Sequence, residues 1–186
     1  LVETGGVIRV DRDSAFREFV AARGRSLMRT AYLLTGDRHL AEDLLQDVLT
    51  KVADRWWRIR QEENAEAYAR TALVREYISW RRLRRSSELP VHDLPERSTT
   101  DFADQSLSRI TLDRALATLA PRQRAVLILR FYEDRSVDQT AAVLGCSTGS
   151  VKSQTHDALA KLRSLGPELA DLLSDTDLVA QVGESR

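Results

Sequence analysis

Six arginines stand between residues 70 and 85: Arg70, Arg75, Arg81, Arg82, Arg84 and Arg85, with Tyr77 and Trp80 among them. Guanidinium groups hold phosphates, so the set suits contact with a polyanion. The plainer reading is a solvated basic helix whose two aromatics pack inward. A second polar group follows at Ser147, Thr148, Ser150, Lys152, Ser153, Gln154 and His156. Hydroxyl, amide and ammonium groups of this kind meet base edges and phosphates. Covalent and metal chemistry have no comparable set. Cys146 is the single cysteine and cannot close an internal disulfide. His39, His92 and His156 share no ligand spacing, so no metal site is expected. There is no nucleophile–base pair. The expectation is a protein without catalytic activity, cofactor or small-molecule substrate.

Charge is segregated along a chain that is neutral in sum, 28 basic residues against 28 acidic. Residues 65–86 hold six Arg against two Glu, net +4, and residues 87–105 hold one Arg against five acids, net −4. Residues 107–166 hold nine basic against five acidic residues, net +4, and residues 167–186 one Arg against five acids, net −4. Two basic blocks parted by an acidic strip suit two contacts with a polyanion; solvated helix faces are the alternative. The longest apolar run, Ala125 to Leu129, is too short to cross a membrane. No basic-then-apolar leader opens the chain, and one cysteine fits a reducing compartment, so a cytoplasmic place and no membrane contact are expected. Residues 1–8, which begin with Leu, are left out of the fold reading.

The elements that must position these groups are helices. At 186 residues the chain suits one large domain or two small ones, and its apolar spacing is helical almost throughout. The spacing predicts a first helix over 13–34, capped by Asp13 or Ser14, with Phe16, Phe19, Val20, Leu27, Ala31 and Leu34 near one side. Gly36 and Asp37 make a turn. A second helix over 39–57 carries Ala41, Leu44, Leu45, Val48, Val52 and Trp56 on one stripe, with Glu42, Asp43, Gln46, Asp47, Lys51 and Asp54 opposite. A polar loop, Arg60 to Asn64, precedes a third helix over 65–85. The strip 87–105 has little to pack and reads as a flexible acidic linker. Helices resume at 106–119, 121–133, 136–144 and 148–165. The acidic tail 167–186 is a short helix or a disordered end. The fold class is therefore all-α: two small helical domains, 9–86 and 106–166, joined by that linker.

Residues 136–165 have the offsets of a helix-turn-helix. Ala141 is small where the two helices touch, Gly145 tolerates left-handed geometry in the turn, and Val151 locks the second helix onto the first. Thr155, Ala158, Leu159 and Leu162 continue the inner side. An ordinary helical hairpin is the competing reading. Gly149-Ser150-Val151-Lys152-Ser153 is no phosphate loop, since its lysine does not directly follow the glycine and no strand precedes it.

Three stretches carry a family resemblance: Leu119-Ala-Pro-Arg-Gln-Arg-Ala-Val-Leu-Ile-Leu-Arg-Phe-Tyr-Glu-Asp, Ser136-Val-Asp-Gln-Thr-Ala-Ala-Val-Leu-Gly-Cys-Ser and Gly149-Ser-Val-Lys-Ser. Together they resemble the C-terminal domain of bacterial sigma factors of the extracytoplasmic-function group. Ala41-Glu-Asp-Leu-Leu-Gln-Asp-Val-Leu resembles the helix with which these factors grip RNA polymerase, and the arginine-rich helix resembles their promoter-melting helix. The likeness covers about residues 14–165 and is strongest to the sigma-E-like branch.

The resemblance implies partners and roles. Asp43, Leu44, Gln46 and Asp47 would bind core RNA polymerase at the β′ clamp helices, with the β subunit also in contact. Asn64, Arg70, Val74, Arg75, Trp80, Arg81, Arg82, Arg84 and Arg85 would bind the −10 promoter element as single-stranded DNA, with the Arg60–Asn64 loop lining the pocket for an extruded base. Val74 and Ile78 depart from the polar residues common there, so the loop is expected to do most of the reading. Ser147, Thr148, Ser150, Lys152, Ser153, Gln154 and His156 would meet the −35 element in the major groove. Lys152 would hold phosphate and Gln154 pair with adenine, or Ser153 take that role if the helix is rotated by one residue. Gln154 and Asp157 replace frequent arginines, so this half would bind DNA weakly alone. The linker would thread the active-centre cleft and RNA exit channel. An anti-sigma factor is an implied further partner. The alternative function is a self-sufficient helix-turn-helix regulator, like a response-regulator output domain, although residues 1–86 lack the alternating strands and helices of a receiver.

Overall fold

The structure, a computed structural model, describes residues 4–61, 65–86 and 107–166. Among the described residues there is no strand. The elements are α1 (Thr4–Thr35), α2 (Arg38–Asp54), α3 (Trp56–Gln61), α4 (Ala65–Ser86), α5 (Leu107–Ala117), α6 (Pro121–Leu127), a π-helical turn (Ile128–Tyr132), α7 (Val137–Leu144) and α8 (Thr148–Leu165). The all-α class stands. The expected linker 87–105 and tail 167–186 lie outside the described residues.

Helix boundaries differ from the periodicity reading in three places. α1 runs back to Thr4, so Asp13 and Ser14 lie inside it and neither is its cap; residues 4–12 contain no proline to stop it. The expected helix 39–57 divides at Arg55, whose backbone (φ −108, ψ 9) leaves the helical region between α2 and α3. Apolar spacing alone does not register one such residue. The expected helix 121–133 becomes α6 and the π-helical turn, in which the Glu133 N–H donates to the Ile128 carbonyl at 2.9 Å. The turn from α1 into α2 is as read: Gly36 takes φ +73, and Asp37 caps α2 by accepting from the Leu40 N–H at 2.9 Å.

α1, α2 and α4 bury Leu27, Ala31, Leu34, Ala41, Leu44, Val48, Val52 and Leu73. Trp56 closes one end against Phe16 and Phe19, with ring centroids 5.3 and 5.1 Å away. Polar ties fix the helices further: Lys51 pairs with Glu76 at 2.5 Å and Arg55 donates to the Tyr68 hydroxyl at 2.9 Å. In the second half, Leu112, Leu116, Leu127, Leu129, Ala158 and Leu162 are buried.

The two halves do not keep separate cores. Leu27 to Tyr77 of the first half and Leu112 to Leu162 of the second belong to one buried cluster, because α4 packs on α6 and α7 as well as on α1 and α2. Arg124 of α6 crosses the junction. It is buried, its Nε donates to the Leu33 carbonyl at 2.6 Å, and its guanidinium lies on Gly36, where a Cβ would come within 2.9 Å of Nη2. Burial pushes this guanidinium below its ordinary pKa, partly offset by the nearby Tyr77 and Asp113.

The helix-turn-helix has the expected construction. Val126, Ala141 and Val151 form a small core of their own, with Val137, Leu144 and Cys146 packed around it. Ser136 and Gln139 form a reciprocal capping box at the start of α7, with bonds of 3.1 and 2.9 Å. Gly145 ends α7 at φ 62, ψ 43, and Ser147 caps α8 by accepting from the Ser150 N–H at 3.1 Å.

The two glycines here predict opposite signs. A Cβ at Gly145 meets nothing within 4 Å, so Gly145→Ala costs only its left-handed backbone strain, about 1–2 kcal/mol. Gly149 lies inside α8 with a Cβ contact no closer than 3.8 Å, so Gly149→Ala stabilises by about 0.4–1 kcal/mol. Urea denaturation of the two variants checks both signs.

Candidate nucleic-acid interface

α2 turns one face inward and one outward. Asp43, Gln46 and Asp47 are exposed. Leu44 is fully buried, which corrects its assignment as a contact: its stripe faces α1 and α4. Asp43, Gln46 and Asp47 line an open groove of about 440 Å³ together with Leu40, Trp80 and Leu83. Two carboxylates and an amide thus border an apolar floor contributed by α2 and α4. Such a groove suits a helix presenting basic and apolar side chains. Sequence reasoning placed Trp80 with the arginines and missed Leu83, which is 59% exposed. An apolar residue amid arginines was the available signal.

α4 divides its residues differently from the sequence reading. Val74 and Tyr77 are buried and touch no DNA from that position; their spacing from Leu73 puts all three on the inward face. Arg81 and Arg82 are exposed. The side chains of Arg84 and Arg85, and Asn64 itself, lie outside the described residues, as does most of the pocket loop.

Arg70 is largely withdrawn from solvent. Its Nε and Nη2 donate to Glu66 Oε1 at 3.1 and 2.7 Å, its Nη2 to Ser26 Oγ at 2.5 Å, and its Nη1 to Thr30 Oγ1 at 3.2 Å and to Glu133. Burial alone would lower its pKa, but the charges and hydrogen bonds of Glu133 and Glu66 raise it. Burial would raise the pKa of Glu66, yet the hydrogen bond and charge of Arg70, with the charge of Arg23 at 3.0 Å, hold it below the usual carboxylate value. Arg75 donates from Nε to the Val143 carbonyl at 3.0 Å and from Nη2 to the Ala142 carbonyl at 3.2 Å.

α8 presents Thr148, Ser150, Lys152, Ser153 and His156 to solvent, with the capping Ser147 also exposed, and buries Val151, Ala158 and Leu162. The hydroxyls of Ser147 and Ser150 are 2.9 Å apart. At about 100° per residue, Ser153 stands nearly opposite Val151 and Gln154 falls toward the flank; Gln154 is correspondingly half-buried. The residue at the centre of the outward face is Ser153. Among the described residues no group of His, Cys, Asp and Glu is placed to hold a metal ion, and no helix is long and apolar enough to cross a membrane.

A helix-turn-helix with a polar outward face, behind a helical half carrying a grooved acidic face and an arginine helix, defines a DNA-binding transcription protein. Comparison with known proteins fixes the family. Residues 19–87 match Sigma-70 region 2 and residues 115–164 match Sigma-70, region 4. The chain is 41% identical to an RNA polymerase sigma-E factor of Streptomyces coelicolor over 80% of its own length and 84% of that protein. It is 34% identical to the ECF RNA polymerase sigma factor SigL of Mycobacterium tuberculosis, over 77% and 84%. The solved sigma factor RpoE of Bartonella quintana, crystallised with the anti-sigma factor NepR, superposes with a TM-score of 0.65 at 26% identity, covering 81% of this chain and 96% of that one. The chain belongs to the sigma-70 family of RNA polymerase sigma factors, within its extracytoplasmic-function group. It is an alternative sigma factor, binding core RNA polymerase and directing transcription initiation at promoters. The region 2 match over residues 19–87 removes the self-sufficient regulator, which has no counterpart for that half.

Two predictions follow from these environments. Replacing Gln46 and Asp47 together by Ala leaves helical content and unfolding unchanged and weakens core polymerase binding about tenfold, a loss of about 1.4 kcal/mol; Leu44→Ala instead destabilises the fold by about 2–5 kcal/mol. Calorimetric titration with core polymerase, beside circular dichroism, separates the two. The depressed Glu66 contributes stability that is present above the unfolded carboxylate pKa and lost as pH falls through its lower folded value. Glu66→Gln therefore lowers stability at neutral pH and flattens its decline on acidification, read from urea midpoints across the carboxylate range.

Proposed function

We propose that the exposed Asp43, Gln46 and Asp47, with Trp80 and Leu83, receive the clamp helices of the polymerase β′ subunit. The observation that carries this is the groove between α2 and α4, acidic at its borders and apolar at its floor. Basic and apolar side chains on a partner helix satisfy both parts. Residues 9–86 form the polymerase and −10 unit, 87–105 the linker, 106–166 the −35 unit and 167–186 an acidic tail. Arg81, Arg82, Arg84 and Arg85, with Arg70 and Arg75, hold phosphates of the −10 strand while the region melts, and Asn64 and its loop face the extruded base. The acidic linker follows a path lined by basic groups, and the β subunit of polymerase also contacts the chain.

The chain supplies no catalytic group; polymerase performs the phosphoryl chemistry, in the cytoplasm. The Bartonella quintana relative was solved with an anti-sigma factor, and by analogy a partner of that class covers the polymerase-binding faces here. Run-off transcription with purified core polymerase on a genomic promoter library tests the function: discrete transcripts that require this chain are expected, and none above core polymerase alone contradicts it.

α8 generates a test in which salt separates two roles. Lys152, exposed beside buried Val151, contacts backbone phosphate, so Lys152→Ala weakens binding on every −35 sequence and reduces the salt slope by about one. Ser153 reads a base edge from the centre of the face, so Ser153→Ala leaves the slope unchanged and costs about 1–3 kcal/mol only on the preferred sequence. Gln154→Ala has the smaller sequence-specific effect. Holoenzyme affinity at several salt concentrations on native and scrambled −35 elements measures all three.

A further inference from the structure

Two arginines assigned above to the −10 strand are held by the other half of the chain. Arg70 donates through Nη1 to Glu133, at the end of the π-helical turn, and Thr30 Oγ1 donates to the same Glu133 oxygen at 2.8 Å. The Glu133 side chain is only 5% exposed. One turn further along α4, Arg75 donates to the carbonyls of Ala142 and Val143. These belong to the last turn of α7, whose carbonyls have no partner within the helix and form its negative end. Both arginines thus meet oxygen acceptors of negative character, the chemistry a phosphodiester offers. The acceptors come from the unit that carries the −35 reader.

Charge and geometry agree on what this arrangement excludes. A guanidinium bonded to Glu66, Glu133, Ser26 and Thr30 has no donor left over for a strand of DNA. α7 packs on α4 at Arg75 and takes bonds from its Nε and Nη2, while the residue itself stays exposed. The same closure leaves Arg124 Nη2 buried without a hydrogen-bond partner, a cost that solvent relieves when the halves separate.

We infer that Glu133 and the C-terminal end of α7 are an intramolecular substitute for DNA phosphate. They latch Arg70 and Arg75 so that the chain by itself is closed to single-stranded DNA. Parting of the halves, as when each meets its own site on polymerase, frees Arg75 and the Arg70 Nη1 hydrogen that Glu133 accepts, while Glu66, Ser26 and Thr30 of its own half keep the other Arg70 bonds. The inference rests on the reading of α4 as the strand-binding helix. It adds that Glu133, outside that helix, sets how much of the free protein is competent to bind.

The test uses the full chain without polymerase. The probe is a fluorescein-labelled single-stranded DNA of mixed sequence, followed by anisotropy at fixed low salt. A nitroxide pair at His39→Cys and Arg163→Cys, in a Cys146→Ser background, reports the distance between halves. Glu133→Gln keeps the side-chain shape and removes its charge. It is expected to lengthen the inter-nitroxide distance and tighten oligonucleotide binding about threefold to tenfold, as a larger fraction becomes competent. Glu133→Asp, which restores the charge, is expected to bring both readouts back toward the parent. An unchanged distance with unchanged affinity overturns the latch. A lengthened distance with unchanged affinity overturns it too, since opening then frees nothing. Arg70→Ala tells whether the underlying reading has failed as well. If promoter melting by the Arg70→Ala holoenzyme is normal, Arg70 is no strand contact; if melting is impaired, the failure belongs to the latch alone.

Discussion

Burial of the inner face of α4 is the constraint on which the other features depend. Leu73, Val74 and Tyr77 are buried there, so the helix cannot rotate without exposing a Leu, a Val and an aromatic ring. That fixes where its other residues stand. Trp80 and Leu83 fall beside α2 and complete the groove with Asp43, Gln46 and Asp47. Arg81 and Arg82 fall outside. Arg70 and Arg75 fall against the second half. One packing decision thus sets the groove between α2 and α4, the exposed basic end and the contact between halves.

Electrostatics divides the arginines that packing has placed. Arg70 is half-buried and Arg124 buried, and they are stabilised differently. Arg70 has two carboxylates and two hydroxyls around it, which more than offset its desolvation. Arg124 has a carbonyl at 2.6 Å, Tyr77 and Asp113 offset only part of its desolvation, and its pKa falls. A buried cation so incompletely compensated is tolerable only where neighbours fit closely, and Gly36 provides that fit by having no side chain. The junction between halves is therefore specific in shape as well as charged.

Much of this was legible in the sequence. Fold class, the helix-turn-helix and the exposed acidic side of α2 follow from helical periodicity, a small residue, a glycine and a valine at set spacings. Ala141, Gly145 and Val151 behave as their types require. Leu44 was misplaced by following a neighbouring motif over the apolar stripe to which it also belonged. Val74 was misplaced because an amphipathic helix with polar residues on both sides of its stripe leaves its orientation open until a partner is known, whereas Tyr77 packs inward, the plainer of the two readings given for it. The contact between halves had no local signal: Arg70 with Glu133 and Arg124 with Leu33 are far apart in sequence, and a single chain offers no periodicity across such separations. The π-helical turn that sets Glu133 in place is likewise one backbone shift within an otherwise regular apolar run.

The account's central claim is that one chain presents a polymerase-binding groove on α2 and α4 and a DNA-reading face on α8. Site-specific photo-crosslinking in reconstituted holoenzyme on promoter DNA tests it most directly, with a benzophenone side chain placed at Gln46 or at Ser153. The account predicts that the probe at position 46 crosslinks to the β′ subunit and the probe at position 153 to the −35 DNA. Crosslinks from position 46 to DNA, or from position 153 to no DNA at all, would contradict it.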